Sequence, residues 1–386
     1  MPSPSHWFVL EGRNAGLLVQ FLLLALLSLL AAPRQDRRRW AGYAFVVGGI
    51  VVSYAANHSF LFWIGWTISV VPWLMDQSIR PSSRISLAAG CLAVAAGLLL
   101  IEQGIHRDWG LVLLMLAVVQ RKGLFPFHGW VADTFERTDV LQSSLLFNSH
   151  LGAFVVMLTD SSAFLGVPRP ALTLLADLGL ATAVLAALAA VSERNPRRQL
   201  AFISISQASI ILAGIEGASR VAVSGAMLHW IVVPLATTAL AAILRGIEVR
   251  ETPDWNTLRN GGLAGRYPRI AVFFAIAALA LVGLPGTLGF VSEDLLLHGA
   301  LQTHPWIGLA IPVSTALNAI TLFRLFSRIF LGARRSPSAV IPDATLRERV
   351  ALTLIAALLI GFGLFPSVPL GLTSPTAEIA AGAGWK

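Results

Sequence analysis

Two apolar stretches of the sequence each contain a proline and a residue that can gain or lose a proton. Residues 121–130, RKGLFPFHGW, carry Lys122 and His128, and residues 283–294, GLPGTLGFVSED, carry Glu293. Proline removes a backbone donor, so each stretch predicts a break in a helix. An ionisable group at bilayer depth costs at least about 2.5–3.5 kcal/mol on insertion scales, and such a group usually marks an ion or proton path.

The composition indicates the environment in which these residues lie. The chain has 386 residues, of which 56% are hydrophobic and only 12% are charged. Soluble domains carry about 25% charged residues. Apolar runs long enough to cross a bilayer recur along the whole length, which predicts an all-α integral membrane protein. The net charge of +8 lies mostly in short loops, where it sets topology, and does not indicate nucleic-acid binding.

The apolar pattern predicts about twelve transmembrane helices. A basic cluster follows the first run and does not precede it, so we expect a retained helix and not a signal peptide. The single cysteine, Cys91, cannot form an internal disulfide, and no residue spacing predicts a zinc site, a nucleotide or an iron–sulfur cluster. The predicted helices lie at about 15–32, 41–57, 58–75, 85–101, 110–135 (broken), 140–159, 171–191, 199–216, 221–245, 268–302 (broken), 306–330 and 349–367.

The distribution of lysine and arginine predicts the orientation. Alternate loops are rich and poor in these residues, and the rich side faces the cytoplasm in most membrane proteins. We therefore expect a multi-pass protein of a bacterial inner membrane, with both termini in the periplasm and residues 247–267 in the cytoplasm.

The two broken helices are five helices apart, so they cross the membrane in opposite directions. Broken helices at matching places in two halves are typical of an inverted repeat. The predicted regions are N-terminal helices, a first repeat region that also includes the start of the second, the remainder of the second repeat, and a C-terminal helix and tail; their bounds are 1–57, 58–216, 217–332 and 333–386.

Four stretches resemble one family in the same order along the chain. RKGLFPFHGWVAD resembles the Lys-x-x-x-Phe-Pro-x-His-x-Trp-x-x-Asp signature of the proton-conducting antiporter-like subunits. That family includes the antiporter-like subunits of complex I, the large Mrp sodium/proton antiporter subunits and the membrane subunit of DAB-type inorganic-carbon accumulation complexes. The resemblance runs from about residue 58 to 330, and its other three stretches are FWIGWTISVVPWL, NPRRQLAFISISQASIILAGI and GLPGTLGFVSEDLLL.

The resemblance implies two inverted five-helix repeats and a role for specific residues. It places the family's broken-helix lysine at Lys122 and the charge of the second broken helix at Glu293. The family's loop lysine falls on Arg197, and the first histidine of its His-x-x-x-His helix falls on His229.

Several family residues are replaced in this chain. The glutamate that usually pairs with the broken-helix lysine falls on Thr67, and a second family lysine falls near Thr237, which Thr238 follows. An expected histidine or lysine falls on Leu146, and His150, about one turn later, is a possible substitute.

Taken together, these features predict a proton-conducting, energy-coupling subunit whose movement of protons drives an attached large soluble or peripheral partner. The short chain and the missing glutamate favour a DAB-type system with a zinc-containing, carbonic-anhydrase-like partner. The alternatives are a complex I, hydrogenase or Mrp-type subunit, and a non-conducting membrane anchor. We expect no catalysis and no cofactor in this chain itself, contact with membrane lipid, and either H⁺ or Na⁺ as the coupled ion. The candidate path residues are Lys122, Glu293, His128, His150, His229, Thr67 and Thr237.

Simpler roles stay open for some of these residues. Lys122 could extend to the membrane surface beside Arg121, as long basic side chains do. His128 could only stabilise the broken backbone, His229 could be an interior histidine with satisfied hydrogen bonds, and Arg197 could be a topology anchor.

Overall fold

The structure is a computed structural model that describes residues 7–10, 14–32, 37–104, 106–161, 169–217, 219–255, 261–333 and 343–382. Within these ranges the fold is all-α, as predicted, with one 3₁₀ turn at Leu263–Gly265. The helices are α1 Ala15–Ala31, α2 Arg37–Ala55, α3 Ser59–Met75, α4 Pro81–Gln103, α5 Arg107–Arg121, α6 Gly129–Arg137, α7 Val140–Phe147, α8 Leu151–Ser161, α9 Arg169–Ser192, α10 Pro196–Glu216, α11 Arg220–Glu251, α12 Pro268–Leu281, α13 Leu288–Ala300, α14 Ile307–Phe330, α15 Leu346–Leu364 and α16 Ser367–Gly382.

The helices divide into central and peripheral ones, as expected for a chain that spans a bilayer several times. Six segments in the described ranges are long and apolar enough to cross a membrane, one of which takes α7 and α8 together, and the bent pair of α15 and α16 is a seventh if it counts as one span. The central helix α10 is buried along nearly its whole length. On the peripheral helix α14, the outward side chains are apolar, as Ile320 and Phe323 show. Lipid can solvate such a surface, whereas water cannot.

Each of the twelve predicted segments coincides with observed helix, and both predicted interruptions are present. Two predictions were wrong in detail. The segment 140–159 is not continuous, because polar residues 148–150 separate α7 from α8. The C-terminal tail is also helical, and α16 is bent by 94° from α15 after Pro366, which cannot continue the hydrogen-bond ladder of α15. The number of crossings, the inverted repeats and their bounds stay predictions.

Both predicted interruptions begin with the same backbone motif. Gly123 has φ of +64° and Gly283 has φ of +65°, a left-handed conformation that glycine adopts at little cost. The N–H of each glycine bonds to the carbonyl three residues earlier, and the N–H of the following leucine bonds to the carbonyl five residues earlier. This pair of bonds is a Schellman motif, which ends a helix while satisfying its last carbonyls.

At the first interruption, side chains of the fold satisfy backbone groups that the break leaves open. The indole Nε1 of Trp130 donates to the carbonyl of Gln120 at 2.7 Å. The N–H of Phe125 donates to Thr182 Oγ1 at 3.2 Å. Because non-helical backbone at membrane depth must be covered by protein or a wet cavity, these bonds explain how the break persists.

The predicted topology can be tested in the loop that follows α11. Asp254 is exposed there, and Cys91, the only native cysteine, is buried. We expect a cysteine at Asp254, in a Cys91→Ala background, to react with a membrane-impermeant maleimide only after the inner face is opened. Gly262 is unsuitable for labelling, since a Cβ there would lie 2.2 Å from the Ala333 carbonyl oxygen. Labelling of intact cells from outside would contradict the predicted orientation.

Candidate functional site

Lys122 lies at the C-terminal end of α5, where the first interruption begins. Its side chain is only 1% exposed, so it does not extend to the surface. The ammonium Nζ donates to the carbonyl oxygen of Ala208, on α10, at 2.8 Å. Gly152 leaves the space that the lysine stem occupies, because a Cβ at that position would lie 2.8 Å from Lys122 Cγ. The fold thus holds a lysine with a neutral hydrogen-bond partner inside the protein.

His150 is brought next to Lys122 by the break between α7 and α8. Its Nδ1 lies 3.4 Å from Lys122 Nζ, and its ring packs edge-on against Trp230 at 5.4 Å between centroids. The residue has φ of +52° and lies in the short segment between the end of α7 and the start of α8. Its Nε2 is buried without a hydrogen-bond partner in the described part of the chain. An ammonium and an imidazole at this separation can exchange a proton.

His229, on α11, binds α10 one residue away from the carbonyl that Lys122 contacts. Its Nε2 is 3.1 Å from the carbonyl oxygen of Gln207 and must donate to it, because a carbonyl only accepts. Its Nδ1 is 3.0 Å from Ser292 Oγ, and that hydroxyl also lies 2.9 Å from the Gly289 carbonyl. A hydroxyl can donate to a neutral imidazole or accept from a charged one, so Ser292 can serve His229 in both protonation states.

The carbonyls that hold Lys122 and His229 belong to consecutive residues of α10, Ala208 and Gln207. The Gln207 side chain is fully buried, and neither atom of its amide group has a partner among the described residues. Near it, Asn318 Nδ2 donates to Ser206 Oγ at 2.9 Å. The middle of α10 is therefore a short polar region in an otherwise apolar helix.

Glu293 lies on α13 immediately after Ser292, but it contacts different groups. Its Oε1 accepts a hydrogen bond from Thr315 Oγ1, on α14, at 3.1 Å. Its carboxylate also packs on Gly283, where a Cβ would come within 2.7 Å of Oε2. The side chain is half-buried and makes no ion pair with any described residue. The second interruption thus positions a carboxylate, as the first positions a lysine.

The other predicted site residues differ in how they relate to the buried groups bonded along α10. Thr237 Oγ1 accepts from Asn148 Nδ2 at 2.7 Å, which places it beside the α7–α8 break that carries His150. Thr67, on α3, and Thr238, next to Thr237, each have a buried hydroxyl with no described partner. His128 is half-buried at the first interruption and stacks on Phe125 at 3.8 Å between centroids. That stacking fits a structural role for His128.

Arg197 lies at the end of α10 that we predict to be cytoplasmic. Its guanidinium makes two hydrogen bonds to the Glu248 carboxylate and one of 2.7 Å to the carbonyl of Thr138. These bonds fix the α6–α7 connection to α10 and α11. Leu146, in contrast, is a fully buried apolar residue of α7.

One buried ionic cluster had no signal in the sequence analysis. The imidazole of His304, between α13 and α14, is fully buried; its Nδ1 lies 3.0 Å from Asp177 Oδ1, and its Nε2 bonds to Glu216. Glu216 also accepts from Thr173 Oγ1 at 2.9 Å and pairs with Arg169. The three members of the cluster are more than 35 residues apart in sequence, so no local spacing could reveal it.

The His304 cluster predicts a pH-dependent stability. Burial opposes the charge of the imidazole, but the hydrogen bonds to Glu216 and Asp177 outweigh it and raise the pKa of His304. The stabilisation that comes from a raised folded-state pKa is fully present below the unfolded pKa of about 6.5. It is lost as the pH rises through the folded-state pKa. We expect thermal unfolding in detergent to show His304→Gln destabilised most at pH 5–6, with a difference from wild type that shrinks at alkaline pH. The exposed His298→Gln should show no such trend.

No group of three or more His, Cys, Asp or Glu side chains in the described ranges is placed to hold a metal ion. Lys122, His150, His229, Glu293 and several hydroxyls instead lie along α5, α7–α8, α10, α11 and α13, within a multi-pass helical membrane chain. This arrangement, together with two helices broken by Schellman motifs, is that of an antiporter-like membrane subunit.

The chain belongs to the NADH:quinone oxidoreductase/Mrp antiporter transmembrane family, whose family model matches residues 82–318. NADH-quinone oxidoreductase subunit N 2 of Solidesulfovibrio magneticus is 29% identical over 357 residues, which is 92% of this chain and 71% of the relative. Subunit N of Desulforudis audaxviator is 29% identical over 278 residues, and the match covers 68% of this chain. The match spans 54% of that relative, about half its length.

Solved structures share the fold. A chain of respiratory complex I from Thermus thermophilus aligns over 100% of this chain and 89% of its own length, with a TM-score of 0.84 and 21% identity. A chain of the Mrp complex from a Dietzia species aligns over 97% of this chain and 84% of its own length, with a TM-score of 0.81 and 19% identity. The predicted family is confirmed. The relatives named here are respiratory and Mrp subunits, so they favour the complex I, hydrogenase or Mrp alternative over the inorganic-carbon interpretation.

Proposed function

We propose that this chain is a proton-conducting subunit of a multi-subunit membrane complex of the complex I, hydrogenase or Mrp type. The observation that carries the proposal is the row of buried groups across α10. Lys122 contacts His150 at 3.4 Å and the Ala208 carbonyl at 2.8 Å, and His229 contacts the adjacent Gln207 carbonyl and Ser292. We place Glu293, which follows Ser292 on α13 and accepts from Thr315, at the end of this row.

In this proposal, protons pass between Lys122 and His150 at one end and between His229 and Ser292 at the other. Gln207, whose carbonyl binds His229, has a buried side-chain amide without a described partner, and in this proposal that amide hydrogen-bonds a water molecule that relays the proton between the two pairs. Glu293 takes up or releases the proton at the half-buried end of the row. Other subunits carry the catalytic reaction, which either drives proton movement through this chain or is driven by it.

An inorganic-carbon system with a zinc-containing, carbonic-anhydrase-like partner is a second candidate, favoured by Thr67 at the position of the family's glutamate. The two candidates differ in what the native complex contains. Affinity purification of the tagged chain from its own host should bring down flavin or iron–sulfur subunits or Mrp subunits under the first proposal. A single large zinc protein with carbonic anhydrase activity would support the second.

Conduction itself is tested with a gradient. We expect turnover of the complex in inverted membrane vesicles to move protons across the membrane, seen as a pH change in the lumen, and Lys122→Met to abolish that change. A sodium-selective ionophore should leave the pH change intact, and sodium movement in its place would assign Na⁺ as the coupled ion. A complex that turns over and moves neither ion would leave only the membrane-anchor function.

A further inference from the structure

Arg121, next to Lys122, is a permanently charged residue inside the protein. Its side chain is 3% exposed, its Nη2 donates to Ser69 Oγ at 2.8 Å, and its Cζ lies 4.9 Å from the centroid of the Trp66 ring. The Nε atom is buried with no hydrogen-bond partner in the described structure. Arginine does not lose its proton in proteins, and a buried charge left uncompensated is strongly destabilising.

The groups around Arg121 are neutral or donors. Ser69 donates its own proton to the Trp66 carbonyl at 2.6 Å, and the Tyr54 hydroxyl donates to the Ser149 carbonyl. The Cys91 side chain lies next to both Arg121 and Thr67. Across the described ranges, no aspartate or glutamate pairs with Arg121, whereas eight other arginines have carboxylate partners.

Two unpartnered donors therefore flank Cys91. One is the Nε–H of Arg121, which is buried without a partner among the described groups. The other is the hydroxyl of Thr67, which lies against the Cys91 thiol and can accept its S–H while its own proton stays free to donate. Donors and positive charge with no acceptor are the features that recognise an anion.

Helices α3, α4 and α5, which carry Thr67, Cys91 and Arg121, line a cavity farther along the interface between them. It has a volume of about 170 Å³, and its lining includes Phe62 of α3, Leu98 of α4 and Leu114 of α5. These lie seven residues from Ser69, Cys91 and Arg121 respectively, which is two helical turns or about 10.5 Å in each case. Asn57 and His58 also line this cavity, at its polar end.

We propose that Arg121 and Thr67 bind a small monovalent anion, of chloride to bicarbonate size, which reaches them from the cavity beside Asn57 and His58. The bound anion supplies the negative charge that no described carboxylate gives to Arg121. The proposal does not require that Lys122 carries protons, because anion binding is measurable without a gradient.

The test uses the full chain in lipid nanodiscs and radioactive chloride as the probe. We expect saturable binding of about one chloride per chain, with nitrate, formate and bicarbonate as competitors and gluconate without effect. Arg121→Gln should weaken binding by at least about tenfold, since it removes the charge. Thr67→Glu should do the same by placing a carboxylate beside the guanidinium. The exposed Arg220→Gln is the matched control and should bind as wild type does.

The two variants should differ in stability. Chloride should raise the melting temperature of wild type, whereas Thr67→Glu should be as stable without chloride as wild type is with it. This variant keeps the test decisive where Arg121→Gln does not fold. Chloride binding that is unchanged in Thr67→Glu, or wild-type protein that binds none of the four anions saturably, would overturn the proposal.

Discussion

Replacing Lys122 by arginine will abolish proton-coupled activity while the complex still assembles. We expect a loss on the order of 100-fold, the contribution typical of a positioned proton-transfer group. A guanidinium keeps the positive charge and can still donate to the Ala208 carbonyl, but it cannot release its proton at physiological pH. The measurement is gradient-dependent activity in inverted membrane vesicles, with assembly followed by co-purification.

Lys122→Met is the matched control for packing. Methionine fills nearly the same volume beside Gly152 and removes the proton site without adding bulk. Both variants should be inactive if Lys122 carries protons. Full activity of Lys122→Arg, with Lys122→Met inactive, would mean that the residue acts only as a fixed charge.

The second large effect should come from Glu293→Gln. Glutamine keeps the shape of the side chain and the acceptor for Thr315 Oγ1, so the α13–α14 contact at 3.1 Å should survive. It has no carboxyl proton to give or take. We expect loss of coupling of the same order as for Lys122→Arg, about 100-fold, with unchanged assembly.

Asp294 offers a control one residue away. Its side chain is 52% exposed and lies 3.3 Å from His298 within the same helix. Asp294→Asn should leave coupling intact, because this carboxylate faces away from the interior row. Equal loss in both variants would show that α13 tolerates no charge change, and it would remove the case for Glu293 as a proton site.

The local sequence was enough to predict the two interruptions. Glycine followed by leucine and a nearby proline occurs at both, and these residues determine the helix end at each. The burial of Lys122 followed from the same break. The α7–α8 break was missed, because residues 148–150 carry neither glycine nor proline; it depends on tertiary bonds such as that from Asn148 to Thr237.

Arg121 and the His304 cluster could not be placed from the sequence for a related reason. A basic residue at the end of an apolar run usually marks the membrane surface. Here α5 ends inside the protein, so Arg121 is buried with Lys122. The partners of His304 lie on α9 and α10, and only the packing of those helices brings the two carboxylates to one imidazole.

The paired carbonyls of α10 also constrain how the two halves of the row can move. Lys122 and His229 bond to neighbouring peptide groups of one stiff helix, so their spacing is set by covalent geometry. A rotation or slide of α10 would therefore change both hydrogen bonds together. A partner subunit that moved α10 would therefore act on Lys122 and His229 at the same time.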